Sequence, residues 1–208
     1  MGLLFERSCP VCGHRARRLC SSCRSLLGCL AVDDPPPGVD ALVALATYDD
    51  DLRRLVLAIK RDGRRDLVRS VARPLAAAAR RAGIDDVDVV TWVPSAPEHR
   101  VARGFDQGRL LARAVGRRLD VPVRRLLGRR GRSRRGVELA ERRSGPSFGA
   151  LGTVPASVLL IDDVTTTGSS LEGAAAALRA EGAQRVVAVV VARAAARVTA
   201  QAHRSTAG

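Results

Sequence analysis

A chain of 208 residues has room for one substantial domain and a small appendage, and no apolar run in it is long enough to span a membrane. Aromatic residues make up 2% of the composition, so the core must be aliphatic. The formal charge is +14, carried by 34 arginines and a single lysine against 21 acidic residues, which suits a polyanion or a phosphorylated small molecule.

The N-terminal MGLLFERSCP lacks the apolar stretch of a secretory signal, so a cytoplasmic chain without membrane insertion is expected. Cys9, Cys12, Cys20 and Cys23 follow as C-x2-C-x7-C-x2-C. Two such pairs can turn four thiolates toward one tetrahedral centre, the geometry that Zn2+ takes. A closed four-sulfur site has no open coordination position, so this zinc is expected to be structural: it staples a small zinc-ribbon-like module with little core of its own. His14 could replace one sulfur, and Cys29 reads as a buried thiol outside the ligand set.

The run DDPPPG, Asp33 to Gly38, breaks regular structure. It divides a metal module at 1–32, through a linker at 33–40, from a main domain at 41–196 followed by a fraying tail at 197–208. In the main domain Ala41 to Tyr48 is strand-like, and Asp51 to Arg61 carries Leu52, Leu55, Val56 and Ile59 on one helical face, ended by Gly63. Arg64 to Arg81 is a second helical stretch, with Pro74 as a kink or boundary. Val87 to Val93 has strand length, Gln107 to Leu119 is helical, and Val121 to Leu126 reads as another strand. Ser157 to Ile161 and Arg185 to Ala192 are Val-rich runs separated by a helix from Ser169 to Glu181 that Gly182 terminates. A β-α-β unit of this kind needs parallel strands buried on both faces, so the fold class is α/β, a parallel sheet flanked by helices.

Nine arginines against two glutamates lie between Val121 and Ala150, and interspersed Gly and Ser suggest a loop that could meet a polyanion. No aromatic residue lies among the arginines 124–143 to stack nucleic-acid bases.

The stretch VLLIDDVTTTGSS, Val158 to Ser170, holds the chemistry. Alternation along a strand would send Asp162 and Asp163 to opposite faces, so both are expected where the strand ends and the chain turns. Ligands of open parallel sheets bind at those carboxyl ends. Two adjacent carboxylates accept from a vicinal diol. Thr165, Thr166, Thr167, Gly168, Ser169 and Ser170 sit at a helix N-terminus, where N–H groups, hydroxyls and the helix dipole favour a phosphate. No Walker A sequence or strand-following G-x-G-x-x-G is present, and the acid order is the reverse of a phospho-receiver.

These residues resemble the phosphoribosyl diphosphate (PRPP) motif of type I phosphoribosyltransferases. The resemblance implies that Asp162 and Asp163 hold the ribose hydroxyls, that 166–170 wrap the 5-phosphate, and that Mg2+ accompanies PRPP. Purine-salvage members usually carry an acid at the position of Thr166. The wider chain is similar to the ComF/GntX group, in its cysteine pairs, Tyr48, Lys60, VPSAPEHRVARGFDQGRLLA from Val93, Phe148 and the PRPP motif. Asp106 stands where that group has Asn, and the group's usual Gln and Asn are missing between Arg135 and Phe148. The resemblance implies a diphosphate-receiving turn at Pro94, Ser95 and Ala96, with Arg100, Arg103 and Lys60 as further candidates for gripping diphosphate. No residue is an obvious nucleophile or general base, so any catalysis would be positional and electrostatic.

Three functions fit: a phosphoribosyltransferase of unknown acceptor; an accessory factor for uptake of transforming single-stranded DNA in natural competence, beside an ATP-driven translocase; and a PRPP-sensing regulator.

Overall fold

The computed structural model describes residues 8–32, 34–61, 63–130 and 146–194. The tail at 197–208 and most of the arginine-rich segment, including Arg132, Arg134, Arg135, Arg142 and Arg143, lie outside the described residues.

A short helix α1 (Ser21–Arg24) and strand β1 (Leu30–Val32) precede β2 (Ala41–Thr47), α2 (Asp50–Lys60) and α3 (Asp66–Arg81). Then come β3 (Val89–Trp92), α4 (Pro97–Arg103), α5 (Gln107–Leu119), β4 (Leu127–Arg129), β5 (Phe148–Ala150), β6 (Ser157–Thr165), α6 (Ser169–Ala180) and β7 (Arg185–Arg193). The main sheet has the order β1-β2-β7-β6-β3, with β1 antiparallel and the other pairings parallel. The two central strands are buried along most of their length, as parallel strands covered on both faces must be.

Helix α2 begins at Asp49, whose side chain accepts from the Leu52 N–H at 2.9 Å, and the apolar face expected from its periodicity, Leu52, Leu55, Val56 and Ile59, is buried. Helix α3 runs unbroken through Pro74, so the proline is not a boundary. It removes one N–H donor, to the carbonyl of Ser70, while a face of Leu67, Val71, Leu75 and Ala79 keeps the helix on the sheet. The expected strand at 121–126 is not one. Val90 N–H donates to Pro122 O and Arg124 N–H to Val90 O, giving one isolated bridge between Val123 and Val90 along the free edge of β3. Gly116 of α5 lets this segment lie close, because a Cβ there would stand 2.9 Å from Val121 O. The small β4–β5 pair sits by α6, whose Gly173 leaves room for Pro146 O.

Side chains divide between the two faces of the sheet. Leu159 and Ile161 of β6 join the cluster under α2, α3 and α5, whereas Val158 and Leu160 join the cluster under α6. Cys9, Val11, Leu19, Cys23 and Leu27 belong to the first cluster, so the cysteine-bearing segment shares the main core. Arg64 adds polar ties: it pairs with Asp66 at 3.0 Å and donates to Ser8 O and Arg17 O, each at 3.2 Å.

Candidate functional site

The four sulfurs of Cys9, Cys12, Cys20 and Cys23 lie within 4.8 Å of one another, and Cys12 Sγ is 3.6 Å from Cys20 Sγ. Tetrahedral Zn–S bonds of about 2.3 Å would put sulfurs roughly 3.8 Å apart, so the donor set fits zinc with side-chain shifts of about 1 Å or less. Burial raises the Cys9 thiol, but the N–H groups of Cys12, Cys20 and Val11 more than offset it and bring it to about 6. Burial and the three neighbouring thiols push Cys23 up. Four thiols around one point give up their protons together only to a cation. Neither His14 nor Cys29 joins the group; Cys29 Sγ points to Ala78 O at 3.9 Å.

At the other end of the sheet, β3 and β6 have unequal lengths. Trp92, the last residue of β3, pairs with Ile161, and Val93 N–H donates to Ile161 O. Beyond that point β6 pairs only with β7, through Asp162 with Val190, Val164 with Ala192 and Thr165 with Arg193. The two acids therefore lie inside a strand, not past its end as the sequence suggested. Their freedom comes from the flank that β3 leaves open. Strand alternation starts them toward opposite faces, but with no strand beside β6 on that flank each carboxylate has room to turn to it, and Asp162 feels the charges of both Asp163 and Lys60.

Asp163 is 8% exposed and accepts from Lys60 Nζ at 2.9 Å, across from the last turn of α2. The single lysine of the chain thus partners the acid pair. Asp162 accepts from the N–H of Asp163 at 2.8 Å. Burial, reinforced by the Asp163 carboxylate, pushes Asp162 well above the usual carboxylate range; the Asp163 N–H and Lys60 oppose the shift, and Asp106 adds to it.

Past Thr165 the chain turns into α6. Gly168 caps the helix with φ +84°, and Thr167 Oγ1 lies 3.1 Å from Ser169 Oγ. A second reason for glycine is visible here, since a Cβ would stand 2.6 Å from Pro36 Cγ. The proline run packs over the turn, and a cleft of about 370 Å³ lies between Asp34 to Pro37 on one side and Thr165 to Gly168 on the other, with Arg193 beside them. Thr166 and Thr167 are exposed, while Ser169 and Ser170 are half-buried. The sequence reading missed both the linker and Arg193. Arg193 could have been found as the charged last residue of a parallel strand; the linker contact had no local signal.

Pro94 and Ala96 are buried in the turn from β3 to α4, and Ser95 Oγ donates to Asp106 Oδ1 at 3.4 Å. Arg103 donates to Gln107 Oε1 at 3.0 Å. Arg100 lines a different and larger cleft, about 740 Å³, at the edge of β3. Asp106 caps α5 through the Arg109 N–H and accepts from Trp92 Nε1 at 3.3 Å. An Asn could fill the same cap; what Asp changes is the charge.

The phosphoribosyl transferase domain family matches residues 106–205. Competence protein F of Haemophilus influenzae is 27% identical over 193 residues, covering 86% of this chain and 83% of the relative. Both bear out the resemblance read from the sequence. Among solved structures, the allosteric regulatory enzyme of purine biosynthesis is 21% identical with a TM-score of 0.43, over 59% of this chain. The chain spans about a quarter of that enzyme's length, 25%. Orotate phosphoribosyltransferase from Aeropyrum pernix is 18% identical with a TM-score of 0.42, covering 82% of this chain and 77% of that one. No described helix is long and apolar enough to cross a membrane.

Two expectations follow. Replacing Cys20 by Ser removes one of four sulfurs, and the purified variant should hold far less zinc than wild type by atomic absorption; full retention would refute the ligand set. A raised carboxyl pKa means that the folded protein retains a proton the unfolded chain has lost, so Asp162 costs stability as pH rises from roughly 4 upward. Asp162→Asn should therefore melt above wild type at pH 8 and approach it at pH 4. A difference that does not change with pH would contradict this.

Proposed function

Because the chain carries a phosphoribosyl transferase domain and is similar to Competence protein F along most of its length, we propose that it binds PRPP at the open flank of β6. The observation that carries this reading is the sequence of groups along one strand and turn: two carboxylates freed by the short β3, then a hydroxyl-rich helix N-terminus with Gly168 at its cap. Asp162 and Asp163 accept the ribose hydroxyls, and the 166–170 turn donates to the 5-phosphate with N–H and hydroxyl groups. The diphosphate lies toward the Pro94–Ala96 turn.

Lys60 has a defined part in this scheme. A diol can reach Asp163 only by displacing or sharing the ammonium now 2.9 Å away. The freed charge is then available to the diphosphate, so one residue covers the acid in the empty site and the anion in the filled one. Mg2+, when bound with PRPP, supplies further neutralisation of the diphosphate. The residues themselves position and neutralise; none of those around Asp162 acts as a nucleophile.

In the enzymatic form of this reading, the phosphoribosyl group passes to an acceptor. Binding without turnover would instead make the protein a PRPP sensor. The name of Competence protein F favours a second role, in natural competence; the sequence resemblance puts that role at incoming single-stranded DNA beside a translocase ATPase, with the arginines of 124–143 as the candidate contact. Zinc held by Cys9, Cys12, Cys20 and Cys23 is structural in each case.

Calorimetry of the zinc-loaded protein with Mg2+ and PRPP tests the reading. Wild type should bind. The Asp162→Ala/Asp163→Ala variant should lose about 3 kcal/mol or more, roughly a 100-fold weaker Kd, since two carboxylates that accept hydrogen bonds are removed. No binding by wild type, or equal binding by the variant, would refute it.

A further inference from the structure

The larger cleft, about 740 Å³, lies outside the PRPP motif, between α4, the start of α5 and the 123–125 segment along the edge of β3. Its size is that of a small-molecule site. Arg100, Arg109, Arg113 and Arg125 line it, and Asp106 is the one acid on its wall. Asp106 is already engaged by Trp92 Nε1, Ser95 Oγ and the Arg109 N–H. None of the four arginines forms an ion pair among the described residues. Arg100 Nε is buried and has no hydrogen-bond partner, a cost that a protein recovers when an acceptor arrives. Four like charges converging on one concavity repel each other until an anion enters.

The remaining wall is apolar, with Pro97, Val101 and Val123 beside two aromatic rings. Trp92 and Phe105 contribute rings, and the guanidinium of Arg65 lies 4.6 Å from the Phe105 centroid. Inorganic anions make no use of such a surface; a flat ring does. The cleft also adjoins the acid pair. Trp92 pairs with Ile161, the residue before Asp162, and its indole N–H is held by Asp106.

We propose that this cleft binds a planar small molecule bearing a carboxylate or phosphate, and that this molecule is the acceptor of the phosphoribosyl group. The second half rests on the PRPP reading; the first half does not. In the transfer, the acceptor's nucleophilic atom bonds to the anomeric carbon while the bond from that carbon to diphosphate oxygen breaks. The electron pair leaves on diphosphate, and any proton on the acceptor passes to water in the open cleft. The arginines hold the acceptor's anionic group and Trp92 and Phe105 its ring, which makes them binding and positioning residues.

Trp92 is the only tryptophan in the chain, so its fluorescence reports on this wall and on the acid pair beside it, and the Asp163 variant separates the two. Zinc-loaded full-length protein is titrated with pyridine-3-carboxylate and with phenyl phosphate, neither of which carries a ribose, against pyridine-3-carboxamide and phenol as uncharged controls. At least one anionic probe should change the emission saturably, its uncharged counterpart should not, and Arg100→Ala and Arg109→Ala/Arg113→Ala should each weaken binding tenfold or more while circular dichroism and melting stay near wild type. Asp163→Asn should leave the probe's affinity unchanged. No saturable change with either probe, or affinity indifferent to the arginines, would overturn the site. A 12-residue oligothymidylate binding the cleft more tightly than either probe would overturn the small-molecule assignment in favour of a nucleic-acid strand. Probe binding without any PRPP binding would leave the anion cleft standing and remove its role as acceptor site; PRPP binding without probe binding would do the reverse.

Discussion

Strand β6 outruns its neighbour β3 by four residues, and the candidate site depends on that mismatch. Up to Ile161 it is a buried central strand with a partner on each side. From Asp162 to Thr165 it keeps only β7. A parallel sheet normally hides its central strands completely, so polar groups in them would be left without solvent or partners. Here the early end of β3 allows two carboxylates to stand at the heart of an α/β sheet at tolerable cost. Lys60 covers one of them, and the proton-retaining tendency of Asp162 marks what the arrangement still costs. A diol with a phosphate nearby suits both acids, which is why the geometry favours a phosphorylated sugar over a simple anion.

The N-terminal segment takes more part in this site than a stapled appendage would. Its Cys9, Cys23, Leu19 and Leu27 sit in the same apolar cluster as α2, the helix that delivers Lys60. Its strand β1 extends the main sheet, and the prolines that follow wall the turn at Gly168. The four-sulfur cluster, the core packing and the turn at Gly168 are therefore connected by contiguous contacts. Arginine-rich composition acts at a different place: Arg100, Arg109, Arg113 and Arg125 gather at the β3 edge, while Arg64 and Arg179 serve as ties between segments, the latter through Asp40 at 2.7 Å.

Much of this could be read from the sequence because the signals were local. The 3.6-residue spacing of Leu52, Leu55, Val56 and Ile59 predicted α2, and α5 occupies the expected Gln107–Leu119. The order of aliphatic run, acid pair, hydroxyls and glycine gave the β6–α6 junction. Features that depended on pairing across the chain were not legible. Lys60 and Asp163 are 103 residues apart, and Pro36 meets Gly168 across an even longer separation. The acids were expected beyond the strand because alternation was weighed without knowing that β3 would stop at Trp92. Val121–Leu126 looked like a strand by composition, yet Pro122 has no N–H to continue a ladder, and one bridge at Val123 is all that forms.

The central claim is that the open flank of β6 holds a phosphoribosyl group. A crystal structure of the zinc-loaded protein with Mg2+ and PRPP would test it most directly. The account predicts the 5-phosphate within the turn 166–170, the ribose hydroxyls on Asp162 and Asp163, and Lys60 withdrawn from Asp163 toward the diphosphate. PRPP bound elsewhere, or Lys60 unmoved beside an Asp163 that touches no sugar, would contradict it.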